Sequence, residues 1–285
     1  MSTIIGDGRE LKAEVKQHWE NETCGTRYGD GADRRRYFEE ISAARYGLEP
    51  YIKTFAGFAA AAGKTVLEIG VGAGADFQNW CETAAHATGI DLTERAISLT
   101  GERLALSSVP KKRYRLLAGD AENLPFDDNS FDIVYSWGVL HHTPDTRRAY
   151  GEVFRVLKPG GVMKTMIYHH PSWTGLMLYA QHALARGNFR MSMKEAVFHH
   201  LESPGTKSYT VEEARRMLSE IGFAKIEAQT KLGPGDLLTI KPSEKYSSGF
   251  YRMIWRIYPR WLVRLLGDRW GMGLLLVASK PREKS

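Results

Sequence analysis

Apolar residues fall in short blocks separated by glycine-rich or polar turns, and the blocks alternate between a strand-like and a helix-like rhythm. Thr65, Val66, Leu67 and Ile69 form a β-prone run of the kind used by a parallel strand buried on both faces. Residues 86–91, 113–120, 131–136 and 162–168 predict four further strands. Helix-compatible stretches separate them: residues 75–85, a helix opening at Leu92-Thr93-Glu94-Arg95, and residues 146–157, closed by Lys158-Pro159-Gly160-Gly161, where Pro and Gly stop the helix and turn the chain. Strand and helix in alternation predict an α/β fold with a parallel sheet.

The first strand runs into Gly70, Gly72 and Gly74. Residues without a Cβ accept positive φ and let a ligand approach main-chain N–H groups at the start of the following helix. Gly70-x-Gly72-x-x-Ala75 also satisfies a dinucleotide fingerprint, with Asp91 about twenty residues on, so the loop alone does not choose a cofactor. A turn that only packs helix on sheet is the plainer alternative. Asp91 ends the second strand and faces the crevice beyond the strand ends, where a carboxylate accepts from both hydroxyls of a ribose; capping the next helix is its competing role. Asp120, Ala121 and Glu122 lie at the same crevice edge, where a carboxylate can accept from an adenine amino group.

Flanking segments read differently. Residues 1–62 are expected to form a mainly helical N-terminal lid, with a cluster of His18, Trp19, Cys24, Gly25, Arg27 and Tyr28 and an aromatic run of Tyr37, Phe38, Tyr46 and Tyr51 that serves either packing or cofactor cover. A core over 63–170 binds the cofactor. Residues 171–205 form a helical cap insertion too apolar for a solvated loop, 206–232 continue the core, and 233–270 form an amphipathic cap or tail. Within that tail, residues 246–270 interleave aromatic and aliphatic residues with arginines and either cover the site's mouth or lie on an anionic membrane surface. Residues 271–285 hold a final strand.

At 285 residues the chain can bury a substantial core. Two cysteines, Cys24 and Cys81, make a disulfide framework improbable and a four-cysteine zinc site impossible, which favours a reducing cytoplasm. No stretch approaches the roughly 18 apolar residues of a membrane span, and the N-terminus lacks a secretory apolar region. A net charge of +6 permits an anionic partner without demanding one, and no zinc-finger or RNA-binding signature argues for nucleic acid.

VLEIGVGAGAD, GIDLT, AGDAENLPFDDNSFDIV and VFRVLKPGG, in this order, resemble the class I AdoMet-dependent methyltransferases, within the type 11 group that includes ubiquinone and menaquinone methyltransferases. Together they reject the dinucleotide alternative. The resemblance implies a doubly wound, Rossmann-like sheet of seven strands in the order 3-2-1-4-5-7-6, with the last strand antiparallel to the fifth, and S-adenosyl-L-methionine as cofactor. Carried over by position, it implies that Glu68 and the backbone of Gly70, Gly72 and Gly74 surround the methionyl end, that Asp91 takes the ribose hydroxyls with Leu92 against the adenine, that Asp120 and Ala121 read the adenine edge, and that Ser136 or Trp137 lies near the sulfur.

The acceptor is expected beyond the fourth and fifth strands, where six of the nine histidines fall: His141, His142, His169, His170, His199 and His200. A histidine near its ordinary pKa suits removal of a proton from an acceptor. His141, His142, His169 and Tyr168 are the catalytic candidates, with Glu202 a further acceptor contact; an architectural role for the 141–142 pair competes, and no metal site is expected. The expected activity is direct in-line methyl transfer to a small hydrophobic or amphipathic acceptor. A membrane-associated quinone or lipid methyltransferase, a non-catalytic AdoMet-binding scaffold and a homodimer through the apolar cap remain open.

Overall fold

The computed structural model describes residues 8–201, 203, 205–240, 256 and 258–282. Seven strands form one sheet in the order β3-β2-β1-β4-β5-β7-β6, the order the family resemblance implies. They are β1 (Thr65–Ile69), β2 (His86–Asp91), β3 (Tyr114–Ala118), β4 (Phe131–Trp137), β5 (Leu157–Tyr168), β6 (Ala224–Lys231) and β7 (Gly273–Ser279). The first five run parallel, and β7 inserts antiparallel between β5 and β6.

Alternation along β1 explains why the sheet is covered on both faces. Leu67 and Ile69 face a core built with α6 (Thr146–Val156) and α9 (Val211–Ile221). Val66 faces the other, built with α3 (Ile52–Ala56), α4 (Ala75–Thr83) and α5 (Glu94–Ala105). Each such fully buried aliphatic side chain contributes roughly 1.5–3 kcal/mol relative to exposure. Preceding β1 are α1 (Gly8–Asn21) and α2 (Arg34–Leu48), the latter capped by Asp33, which accepts from the N–H groups of Arg35 and Arg36.

Two expected boundaries moved. Strand β3 ends at Ala118, so Asp120 sits in the following turn rather than on the strand. Lys158 to Gly161 do not turn the chain: they lie inside β5, where five steps from Leu157 to Val162 oppose two from Phe131 to Ile133 on β4. The glycines are accommodated as a bulge, which keeps pairing alive on either side.

Between β5 and α9 lie α7 (Trp173–His182), capped by Ser172, and α8 (Met193–His200), opened by a capping box of Ser192 and Glu195. Buried Asp236 fastens this region to the sheet: Oδ1 accepts from the Thr174 amide (3.0 Å) and hydroxyl (2.8 Å), and Oδ2 from the amides of Gly233 (2.9 Å) and Met272 (2.7 Å). Residues 241–255 and 257, which take in the first ten residues of the basic aromatic tail, lie outside the described residues, as does Glu202. After Pro259 the chain forms the helix Arg260–Leu266. No helix among the described residues is long and apolar enough to cross a membrane.

Candidate functional site

The crevice is built where β1, β2 and β4 end. Gly70, Gly72 and Gly74 take φ of +84°, +53° and +77°, and two of them do so for different reasons. A Cβ on Gly70 would lie 2.2 Å from Val139 Cγ2, so this glycine makes room for its own protein. A Cβ on Gly72 would find only ordinary contact with Cys24 at 3.7 Å, so here the positive φ, and not a clash with the protein, calls for glycine. The loop is braced from behind: the Thr100 hydroxyl donates to the Gly72 carbonyl (3.0 Å) and Arg103 Nε to that of Ala73 (2.7 Å). Burial lowers the Arg103 pKa to about 10.

Asp91 reaches this loop. Its Oδ2 accepts from the Gly72 amide (3.1 Å), and its Oδ1 from the amide (3.0 Å) and hydroxyl (2.9 Å) of Thr93. Thr93, rather than Asp91, caps α5. Burial raises the Asp91 pKa against these hydrogen bonds, and Leu92 sits half-buried beside it. On the far side of the crevice Asp120 Oδ2 accepts from Lys12 Nζ at 2.5 Å, and the same ammonium reaches Glu122 Oε2 at 2.7 Å. Helix α1 is thereby latched over that edge, next to buried Ala121.

Beneath the loop the site is acidic and dry. Glu68, at the end of β1, is buried, and its Oε2 has no hydrogen-bond partner among the described residues. Burial, and then the charge of Asp76, hold its pKa well above the carboxylate range. Burial acts on Asp76 too, but the Arg45 guanidinium, which grips both carboxylate oxygens, and donation from Tyr135 and Tyr46 hold its pKa low. Glu49 accepts from Tyr51 (3.1 Å) and from the Trp137 indole (3.3 Å), with its pKa raised by burial. Two buried carboxyls, Glu68 and Asp76, and the half-buried Glu49 thus lie within the field of the Arg45 guanidinium. Trp137 packs against Tyr51 and Phe55, and Ser136 donates to the Ile69 carbonyl (2.9 Å), serving the sheet.

The six histidines do not gather into one cluster. His141 and His142 lie 4.1 Å apart by ring centroid, with Tyr168 4.1 Å from His141 and Trp19 edge-on to His142 at 5.3 Å. The hydroxyls of Ser203 (2.8 Å) and Thr206 (3.1 Å) hold His142 Nδ1, whereas both ring nitrogens of His141 are buried without a hydrogen-bond partner among the described residues. Burial drives the His142 pKa down to about 3 and that of His141 well below its ordinary value. His169 Nδ1 lies 3.0 Å from the Gly271 carbonyl, joining β5 to β7. His170 faces Glu213 at 3.8 Å, and His200 at the end of α8 stacks on His182 at the end of α7 at 3.7 Å. No group of three or more metal-ligating side chains is assembled among the described residues.

Sequence reasoning missed Lys12, Arg45 and Glu49. Asp76 carried a signal, an acid directly after the glycine stretch, but its partner lies 31 positions earlier on another helix.

Residues 67–164 match the Methyltransferase domain family, a span that starts on β1 and ends within β5. The chain is 44% identical over 106 residues to the phthiotriol/phenolphthiotriol dimycocerosates methyltransferase of Mycobacterium tuberculosis, covering 35% of this chain and 36% of that protein. A phosphoethanolamine N-methyltransferase of Caenorhabditis elegans and two fungal sterol 24-C-methyltransferases are likewise matched over only 24–34% of their own length. The demethylmenaquinone methyltransferase of Tropheryma whipplei is 31% identical over 165 residues, 57% of this chain and 67% of that protein. Among solved structures, an S-adenosylmethionine dependent methyltransferase from Mesorhizobium loti superposes with a TM-score of 0.52 at 20% identity, over 81% of this chain and 97% of that one, which speaks for the fold alone. With two thirds of the Tropheryma protein matched and the strand order found in the sheet, the chain belongs to the class I AdoMet-dependent methyltransferases.

Proposed function

We propose that the chain transfers a methyl group from S-adenosyl-L-methionine to a small hydrophobic or amphipathic acceptor. The carrying observation is the surplus of buried carboxyls at the glycine turn, above all Glu68 with an unpartnered oxygen. A ligand bearing an ammonium and a sulfonium would relieve that surplus; a phosphate-bearing dinucleotide would aggravate it. Glu68 and the Gly70, Gly72 and Gly74 backbone would hold the methionyl end, Asp91 the ribose, Leu92 the base, and Asp120 with Ala121 the adenine edge. When bound, this group supplies an electrophilic methyl carbon.

The chain's own residues then orient, exclude water and manage a proton. His141 is the proposed base: burial keeps it neutral, although it also weakens its basicity, a nitrogen lone pair is unclaimed among the described residues, and the ring packs against His142 and Tyr168. Bound AdoMet would supply the methyl group and leave as its demethylated product, and His141 would take the proton that the acceptor gives up. Ser203 and Thr206 fix the neighbouring ring, a positioning role.

Support for the acceptor class comes from the apolar cap cluster around Leu178, Ala196, Val197 and Met272, and from relatives named for sterols and demethylmenaquinone. Isothermal titration tests the first step: binding of AdoMet or its demethylated product is expected, and failure of both to bind overturns the proposal. With a panel of quinols, phenols and hydroxylated lipids, His141→Asn should lower kcat by roughly 100-fold or more at unchanged cofactor affinity.

A further inference from the structure

The helix Arg260–Leu266 carries a chemistry that methyl transfer does not use. Val263 is its buried anchor at 2% exposure, whereas Trp261, Leu262, Leu265 and Leu266 stand 69%, 36%, 75% and 54% exposed. At positions i, i+1, i+4 and i+5 these four share one face of a helix. Four large apolar side chains turned together into water make a contiguous patch, and such patches on a folded protein mark a surface that is covered in use.

Its surroundings specify the cover. Arg256, Arg264 and Arg269 are exposed on the same stretch. Asp268, the acid within it, is committed to Lys231 Nζ (2.7 Å) and to the Leu232 amide (3.0 Å). The helix is firmly seated: Arg260 donates to the carbonyls of Leu237 (2.9 Å) and Leu238 (3.1 Å), and the Tyr258 hydroxyl to that of Asp236 (2.8 Å). Trp270, itself partly exposed, packs against Trp173 at the start of the cap helix α7 at 5.7 Å. An apolar stripe with tryptophan at its border and arginines beside it is the pattern of an element that lies in a membrane interface, and seven residues are far too few to cross one.

We propose that this face docks the protein on a lipid surface bearing anionic headgroups, with Trp261, Leu265 and Leu266 sunk among the acyl chains and Arg264 and Arg269 against the headgroups. Charge selects a membrane over a second copy of this chain, because a two-fold contact through this patch would bring the same arginines against one another. Through Asp236 and the Trp173–Trp270 contact the docked helix connects directly to the cap, so docking holds the cap at the lipid surface. The inference needs no methyl transfer, and a vesicle measurement reads it without cofactor.

The test is sedimentation of the full chain with vesicles of phosphatidylcholine plus phosphatidylglycerol, and with phosphatidylcholine alone. Binding is expected on the anionic vesicles and should fall as salt rises. Arg264→Gln and Arg269→Gln should each weaken it roughly fivefold, the factor equivalent to about 1 kcal/mol per surface arginine. Trp261→Ser with Leu265→Ser should weaken it more than tenfold, at unchanged thermal stability and unchanged AdoMet titration. Absence of sedimentation with anionic vesicles overturns the proposal, as does wild-type binding by the paired Trp261 and Leu265 variant. A concentration-dependent dimer abolished by that variant, without vesicle binding, also overturns it and assigns the face to a second copy. AdoMet titration of the same preparation separates this outcome from failure of the proposed function.

Discussion

Gly70 and Gly72 are two residues apart, both at positive φ, yet alanine should affect them in opposite ways. For Gly72→Ala the added methyl finds ordinary contact with Cys24 at 3.7 Å, so the folded state bears only the left-handed backbone cost of about 1–2 kcal/mol. At about 2–4 °C per kcal/mol for a domain of this size, Tm should drop by about 2–8 °C. Gly70→Ala bears the same backbone cost plus overlap with Val139 at 2.2 Å, an overpacking cost of about 1–3 kcal/mol more. Shaving the obstacle with Val139→Ala should recover much of that second part, giving a coupling of at least about 1 kcal/mol in a double-mutant cycle. Cofactor affinity should sort the other way. Gly72→Ala places its methyl in the space proposed for the methionyl chain and should lose tenfold or more in titration, although it folds better than Gly70→Ala. The measurements are thermal melts of the four Gly70 and Val139 combinations, and AdoMet titration of Gly72→Ala. Wild-type affinity in Gly72→Ala would refute the close approach of ligand to loop. Additive melts for Gly70 and Val139 would refute the packing account.

Three other outcomes are expected. Arg45→Met strands the buried Asp76 carboxylate and should cost about 3 kcal/mol in urea unfolding, with Arg45→Lys intermediate because one ammonium cannot grip both oxygens; a loss under 1 kcal/mol would count against the network. Lys12→Met should release α1 from Asp120 and Glu122, and the loss of about 2 kcal/mol of charged hydrogen bonding predicts roughly thirtyfold faster limited proteolysis within residues 8–21. The unfolded chain protonates His141 and His142 below about pH 6.5 while the folded chain keeps them neutral, down to about pH 3 at His142, so stability is fully present above pH 6.5 and declines as pH falls toward 3; His142→Gln should flatten that decline, and an unchanged slope would refute the assignment.

What could be read from the sequence depended on the range over which each feature is determined. β2 was expected at its observed bounds because its apolar run and its closing acid are adjacent in the chain. The sheet order was implied by the family resemblance that four motifs in series carry. Lys12 and Asp120, 108 positions apart, meet only because α1 crosses the crevice, and nothing in either neighbourhood encodes that crossing. Lys158 to Gly161 look like a turn because proline and glycine usually make one; pairing of β5 with β4 on both sides of the stretch overrides that preference. The histidine pairs illustrate a third case. Each pair follows a different element, so His141 and His142 stay together beside Tyr168 while His169 is taken by the Gly271 carbonyl and His199 and His200 end α8.

Asp236 bears on which parts of this protein can be exchanged together. One carboxylate answers four donors, two from Thr174, one from Met272 and one from Gly233 in its own turn, so the start of α7 and the head of β7 are both registered against the 233–238 turn. A chimera that transplants a relative's cap alone should misassemble. One that moves the α7 start, the 233–238 turn and the head of β7 as a set keeps the joint intact, and that three-part set is the unit that can be exchanged on this sheet.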